Sequence, residues 1–247
     1  MRFTLLRLNL LFAMLLTCMP NASSQDKSAT PVATAAHDAV RPVPRDAGWM
    51  KRHESMNARV KEGNVDLVFI GDSITQGWEG PGKEVWKEFY GERNAVNLGI
   101  GGDRTQHVIW RLDNGNLEGI QPKLAVIMIG TNNSSSNKPE EIADGITKIV
   151  DQLKTKSPET KILVLGVFPR GAGPDNGQRK VNEATNVLVS KLADNQTVHY
   201  LDISKQFLGD DGSLSKEIMP DLLHLSPKGY RIWAESIEPK VAELLGQ

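Results

Sequence analysis

Cysteine is nearly absent from this 247-residue chain: Cys18 is the only one. Removal of the N-terminal leader described below would leave none, so neither disulfides nor a cysteine metal site can hold the fold together. Aromatic residues make up only 6% of the chain, and no basic run stands out. Residues 1–22 carry two arginines and no acid, so their loss moves the formal charge from −1 to −3. A near-neutral chain without a cationic cluster lacks the footprint of nucleic-acid binding. Long apolar runs are missing too. The stretch Leu8–Leu16 falls well short of the ~20 residues that a membrane span needs. The sequence has no internal repeats, no P-loop lysine beside its glycine-rich loops and no visible cluster of metal ligands. No metal or cofactor is expected.

The N-terminus does carry a pattern. Arg2 and Arg7 precede the apolar stretch, and Pro20-Asn21-Ala22 follow it. That order of basic, apolar and small residues reads as a secretory signal peptide over residues 1–22. The alternatives are a retained anchor, or lipidation at Cys18, for which Thr17 is a poor preceding residue. Residues 23–48 are rich in Ala, Ser, Thr, Pro and Asp and read as a flexible tether. Residues 49–247 are expected to form one domain. Export without disulfides suits a bacterial protein, secreted or periplasmic, that relies on an ordinary core.

Short apolar runs at 65–70, 95–98, 124–129, 161–168 and 198–202 predict five strands. Helical stripes alternate with them; Ile142, Ile146, Ile149, Val150 and Leu153 fall on one helix face. Alternation of this kind predicts a five-stranded parallel sheet covered on both faces, a three-layer α/β domain. A last helix starts near Pro227, with Pro239 expected to kink or divide it. Right-handed crossovers then bring the carboxyl ends of all strands to one edge, where open α/β sheets bind ligands.

The chemistry collects at that edge. Gly71-Asp72-Ser73, Gly101-Gly102-Asp103 and Gly130-Thr131-Asn132 follow the first three strands, and Asp221 and His224 precede the last helix. Ser73 is the candidate nucleophile, although Asp72 or Ser73 could equally serve only to cap a helix. A serine hydroxyl needs an adjacent base. Of five histidines, His37 lies in the tether, His53 and His107 on predicted helices, and His199 within a strand. His224 has Asp221 three residues before it. That spacing lets the carboxylate accept from Nδ1 and leaves Nε2 for the serine. Acyl transfer also needs donors for the developing oxyanion, each worth ~3 kcal/mol. The Gly102 N–H, the Asn132 amide and the Ser73 N–H could supply them; a tight turn and a helix cap are the plainer readings of Gly102 and Asn132.

The blocks GDSIT, GIGGD, GTNN and DLLHL, in this order, resemble those of the SGNH, or GDSL-type, hydrolases. The resemblance covers nearly all of residues 64–245. NLGIGGDRTQHVIWRL, IGTNN and GVFPRG are similar to bacterial proteins that resemble the catalytic subunits of brain platelet-activating factor acetylhydrolase. The resemblance implies a flavodoxin-like α/β/α sandwich. It implies Ser73 as nucleophile, His224 as base and Asp221 as orienting acid, with Ser73, Gly102 and Asn132 forming the oxyanion hole. Two departures from the brain subunits warn against copying the substrate: an export signal and tether in place of a cytosolic start, and different loops after Asn133 and Ser73. The expected reaction is hydrolysis of a short-acyl, chiefly acetyl, oxygen ester, with carbohydrate O-acetyl groups favoured. Short-acyl phospholipids, or glycan binding without catalysis, are the alternatives. Ile74, Thr131 and Leu223 adjoin the catalytic positions and are expected to wall a small acyl pocket.

Overall fold

The computed structural model describes residues 37–247. The signal-peptide reading, Cys18 and most of the predicted tether lie outside the described residues. The helices are α1 Ala47–Lys61, α2 Ser73–Gln76, α3 Lys83–Tyr90, α4 Thr105–Asp113, α5 Pro139–Lys156, α6 Gly177–Val189 and α7 Pro227–Leu245. The strands are β1 Leu67–Gly71, β2 Ala95–Gly99, β3 Leu124–Met128, β4 Lys161–Leu165 and β5 Val198–Leu201. All pair in parallel, in the order β2-β1-β3-β4-β5. The chain thus steps from β1 to one side for β2 and then crosses back to the other side of β1 for β3. That reversal creates a crevice beyond the carboxyl ends of β1 and β3.

Strand parity builds the three layers. Val68, Ile70, Ala125, Ile127, Ile162 and Val164 pack into one core with α1, α4 and α5. Leu67, Phe69, Val126, Met128, Leu163 and Leu165 pack into the other with α3 and α7. Alternate residues of a strand point to opposite faces, and both sets are apolar, so the strands read as unbroken apolar runs.

Three expectations change. Residues 38–48, read as tether, belong to the fold: Ala39 is fully buried, Thr105 Oγ1 donates to its carbonyl at 2.8 Å, and α1 begins at Ala47. The composition of this tract hides a few specific anchors in otherwise polar, small-residue sequence. Second, the loop after Ser73 folds into α2 and a 3-10 turn, Gly77–Glu79, which buries Trp78. Third, α7 is not divided by Pro239 and runs to Leu245 as one element. It begins where Ser226 caps Gly229 N–H and Pro227 occupies the first turn, where a missing N–H costs nothing. Among the described residues, no helix is long and apolar enough to cross a membrane.

Candidate active site

At the end of β1 the backbone turns directly into α2. Asp72 caps this short helix, its Oδ1 accepting the Ile74 N–H at 3.0 Å. Capping is therefore done by Asp72, and the Ser73 hydroxyl is left for another partner. That partner is His224, whose Nε2 lies 2.9 Å from Ser73 Oγ.

His224 is held by the turn that contains Asp221. One Asp221 oxygen accepts the backbone N–H groups of Leu223 at 3.1 Å and His224 at 2.7 Å. The other lies 2.6 Å from His224 Nδ1. The turn closes because Leu222 adopts φ 62°, a left-handed conformation that costs a non-glycine residue ~1 kcal/mol or more. Two backbone bonds offset that strain: Leu222 N–H donates to Met219 O and Gly171 N–H to Leu222 O, both at 2.8 Å. Burial pushes the Asp221 carboxyl up, but the ring and amide hydrogen bonds outweigh it and hold its pKa below the ordinary value. An ionised Asp221 fixes the proton on Nδ1 and leaves Nε2 able to accept the serine proton.

The opposite wall comes from the loops after β2 and β3. Gly102 has φ +75°, and a Cβ there would meet the Arg45 guanidinium at 3.1 Å; glycine answers both constraints. Gly101 N–H donates to Gln76 Oε1 at 2.7 Å. The Gly102 and Ser73 N–H groups, by contrast, have no acceptor among the described residues. Asn132 Nδ2 donates to Asp103 O at 2.9 Å, with a longer contact of 3.4 Å to Asp72 Oδ2. An incoming oxygen can compete for that weaker contact. Beneath the loop, the fully buried Asp103 accepts from Arg111 Nε at 2.9 Å, Trp49 Nε1 at 2.6 Å and Arg45 Nη1 at 3.3 Å. Arg111 also reaches Gly71 O at 3.3 Å, tying the Gly102 loop to the strand that delivers Ser73. Burial pushes the Asp72 carboxyl up to about 7, against the Ile74 N–H that favours its ionised form. Burial lowers His107 to about 4; its Nδ1 accepts the Arg104 N–H at 2.9 Å and serves the cap of α4.

The predicted acyl-wall residues divide. Ile74 and Thr131 are each 1% exposed. Ile74 packs in the core beneath α7, and the Thr131 hydroxyl is engaged by Arg170 and Asn182. Leu223 alone keeps part of its surface exposed. An open cleft of about 530 Å³ adjoins Ser73 and is lined by Gln76, Gly77, Glu79 and Gly80. A separate groove of about 460 Å³ between α1 and α3 meets it at Glu79. Sequence reasoning missed Arg45, Gln76 and Arg170. None stands in a motif that signals chemistry, although Arg170 lies within the GVFPRG block.

Comparison with known proteins agrees with this architecture. The GDSL-like Lipase/Acylhydrolase family model matches residues 69–232. Platelet-activating factor acetylhydrolase IB subunit alpha2 of Rattus norvegicus is 38% identical over 226 residues, covering 90% of this chain and 94% of the relative. A GDSL-like lipase from Bacteroides thetaiotaomicron has a similar structure, with a TM-score of 0.59 at 20% identity over 78% of this chain and 97% of that one. A carbohydrate acetylesterase from Sinorhizobium meliloti has a TM-score of 0.57 at 22% identity, over 73% of this chain and 99% of that one.

Proposed function

The chain belongs to the GDSL-like lipase/acylhydrolase family and is an ester hydrolase; from that premise we propose that it removes short acyl groups, chiefly acetyl, through a serine-bound acyl intermediate. The observation that carries this reading is the continuous chain from Ser73 Oγ through His224 to Asp221, with contacts of 2.9 and 2.6 Å. Ser73 attacks the ester carbonyl while His224 Nε2 takes its proton. Asp221 steadies the imidazolium that results. Ser73 N–H, Gly102 N–H and Asn132 Nδ2 receive the negative charge on the carbonyl oxygen, at a contribution of ~3 kcal/mol per donor. His224 passes the proton to the departing alcohol, and water activated by the same ring releases the acid. Leu223 is the residue of the predicted acyl wall with surface available to a substrate.

Carbohydrate O-acetyl groups are the favoured substrate. The reading rests on the export pattern of residues 1–22, and a carbohydrate acetylesterase shares the fold. Short-acyl phospholipids are the competing class, favoured by the platelet-activating factor acetylhydrolase name of the 38%-identical relative. Secretion or periplasmic export is part of the same proposal, and recovery of an N-terminally trimmed chain outside the cytoplasm tests it.

The decisive experiment compares p-nitrophenyl acetate hydrolysis by wild type and Ser73→Ala. Loss of at least ~10³-fold is expected for the variant, and equal rates would overturn the nucleophile assignment. Acetate release from acetylated xylan against acetylated glycerolipids separates the two substrate classes.

A further inference from the structure

Arg170 stands where the two walls of the site meet. Its Nη1 donates to Thr131 O at 3.1 Å and to Thr131 Oγ1 at 3.2 Å, one residue before Asn132. The next residue, Gly171, donates its N–H to Leu222 O at 2.8 Å, inside the turn that holds Asp221 and His224. The segment is pinned from beneath by the buried Arg179. Its guanidinium donates to the carbonyls of Arg170, Gly171 and Gly212 at 2.8, 2.6 and 2.6 Å. Arg170 is therefore a fixed side chain on a fixed strap.

Its charge has no hydrogen-bonded carboxylate, a lack it shares with the carbonyl-bound Arg179 beneath it but not with several other arginines of the fold. Arg45, Arg52, Arg93 and Arg111 each meet a carboxylate, on Asp103, Glu79, Glu238 and Asp103. Arg170 is partly buried, yet among the described residues it forms no ion pair, and its Nε and Nη2 have no partner. Burial lowers its pKa, opposed by the nearby carboxylates of Asp72 and Asp221. Neither carboxylate is hydrogen-bonded to it: Asp221 serves His224, and Asp72 serves Ile74. Its unpartnered Nε and Nη2 are not sealed from water, so they stand open to an incoming ligand. Its planar donor fork suits a carboxylate or phosphate.

We propose that Arg170 forms an anion-recognition subsite at the rim of the active site, selecting esters whose alcohol half carries a carboxylate or phosphate group. The inference rests on the ester-hydrolase reading above. Thr131 holds one end of the guanidinium so that the free edge faces the substrate, and the alcohol half adds a selectivity of its own to that for the short acyl group.

Two matched pairs test it. The carboxylate arm compares 4-acetoxybenzoate with its neutral methyl ester; the phosphate arm compares acetylglycerol phosphate with acetylglycerol. Wild type should prefer the anionic member of at least one pair by ~10-fold or more in kcat/KM, as a charge-assisted contact allows. The arm that responds identifies the group. Arg170→Gln should collapse the ratio towards unity, mainly through KM on the anionic ester, and Arg170→Lys should restore part of it. Should Arg170→Gln fail to fold, inorganic phosphate or benzoate must still inhibit wild type competitively. Preference in neither arm, or an unchanged ratio while both rates fall together in Arg170→Gln, would overturn the subsite and leave only a positioning role through Thr131. Failure of wild type to hydrolyse any of the four esters, or equal rates in Ser73→Ala, would instead remove the ester-hydrolase reading itself.

Discussion

Gln76 Oε1 accepts the Gly101 N–H at 2.7 Å, and the neighbouring Gly102 N–H has no acceptor among the described residues. One side chain from the helix that carries Ser73 thus engages one of two adjacent glycine amides and leaves the other without an acceptor among the described residues. Gln76→Ala should lower kcat about 5- to 10-fold, the equivalent of one hydrogen bond of ~1 kcal/mol, with little change in KM. Gln76→Glu, which keeps an acceptor there, should recover part of the loss. Steady-state kinetics on p-nitrophenyl acetate read both variants. An unchanged kcat in Gln76→Ala would mean that the loop holds its shape without this bond.

Asp72 predicts a pH dependence of stability. Its carboxyl is pushed up to about 7 by burial, so the folded state binds the proton more tightly than the unfolded chain does. The stabilisation is complete below the ordinary carboxylate pKa and is lost as pH rises through about 7. Between those limits wild type should lose stability relative to Asp72→Asn, by at most ~1.4 kcal/mol per pH unit from this group. Urea midpoints of both proteins at pH 4.5, 6 and 8 give the comparison. Parallel pH profiles would show that Asp72 stays ionised in the fold.

The glycine after α2 is set by an aromatic ring. A Cβ on Gly77 would lie 1.9 Å from Tyr230 Oη and 2.9 Å from Cζ, while the Tyr230 hydroxyl donates to Ile74 O at 2.6 Å. Gly77→Ala should cost ~2–3 kcal/mol through overpacking, and Tyr230→Phe ~1 kcal/mol through the lost hydrogen bond. The double variant should fall short of their sum by ~1 kcal/mol or more, since removing the hydroxyl relieves the closest contact. Denaturant unfolding of the three variants measures the coupling; strict additivity would contradict the packing described.

Much of the fold is legible in the amino-acid order. Five apolar runs separated by helical stripes are enough for a parallel sheet, because a strand buried on both faces has no polar face to interrupt it. The residues gathered at one sheet edge are legible for a related reason: parallel crossovers leave every Gly-polar turn after a strand at the same end. Arg45 is not legible, since its anchoring of Asp103 is a few specific contacts within a tract of disordered-looking composition. Adjacency in sequence also misleads for Ile74 and Thr131. A neighbour along the chain points its side chain in another direction, here into the core for Ile74 and towards Arg170 and Asn182 for Thr131.

Hydrophobic period and chain connectivity are local quantities, and they suffice for the three-layer architecture, the strand count and the short set of polar residues at the ligand-binding edge. Other outcomes wait on packing: that Asp72 takes the cap and frees the Ser73 hydroxyl, that Gly102 and not Gly101 has the open amide, and that Arg170 stands at the site without a paired carboxylate. Each depends on which of several nearby groups claims a given donor or acceptor. That competition is settled only when distant segments pack within hydrogen-bonding distance.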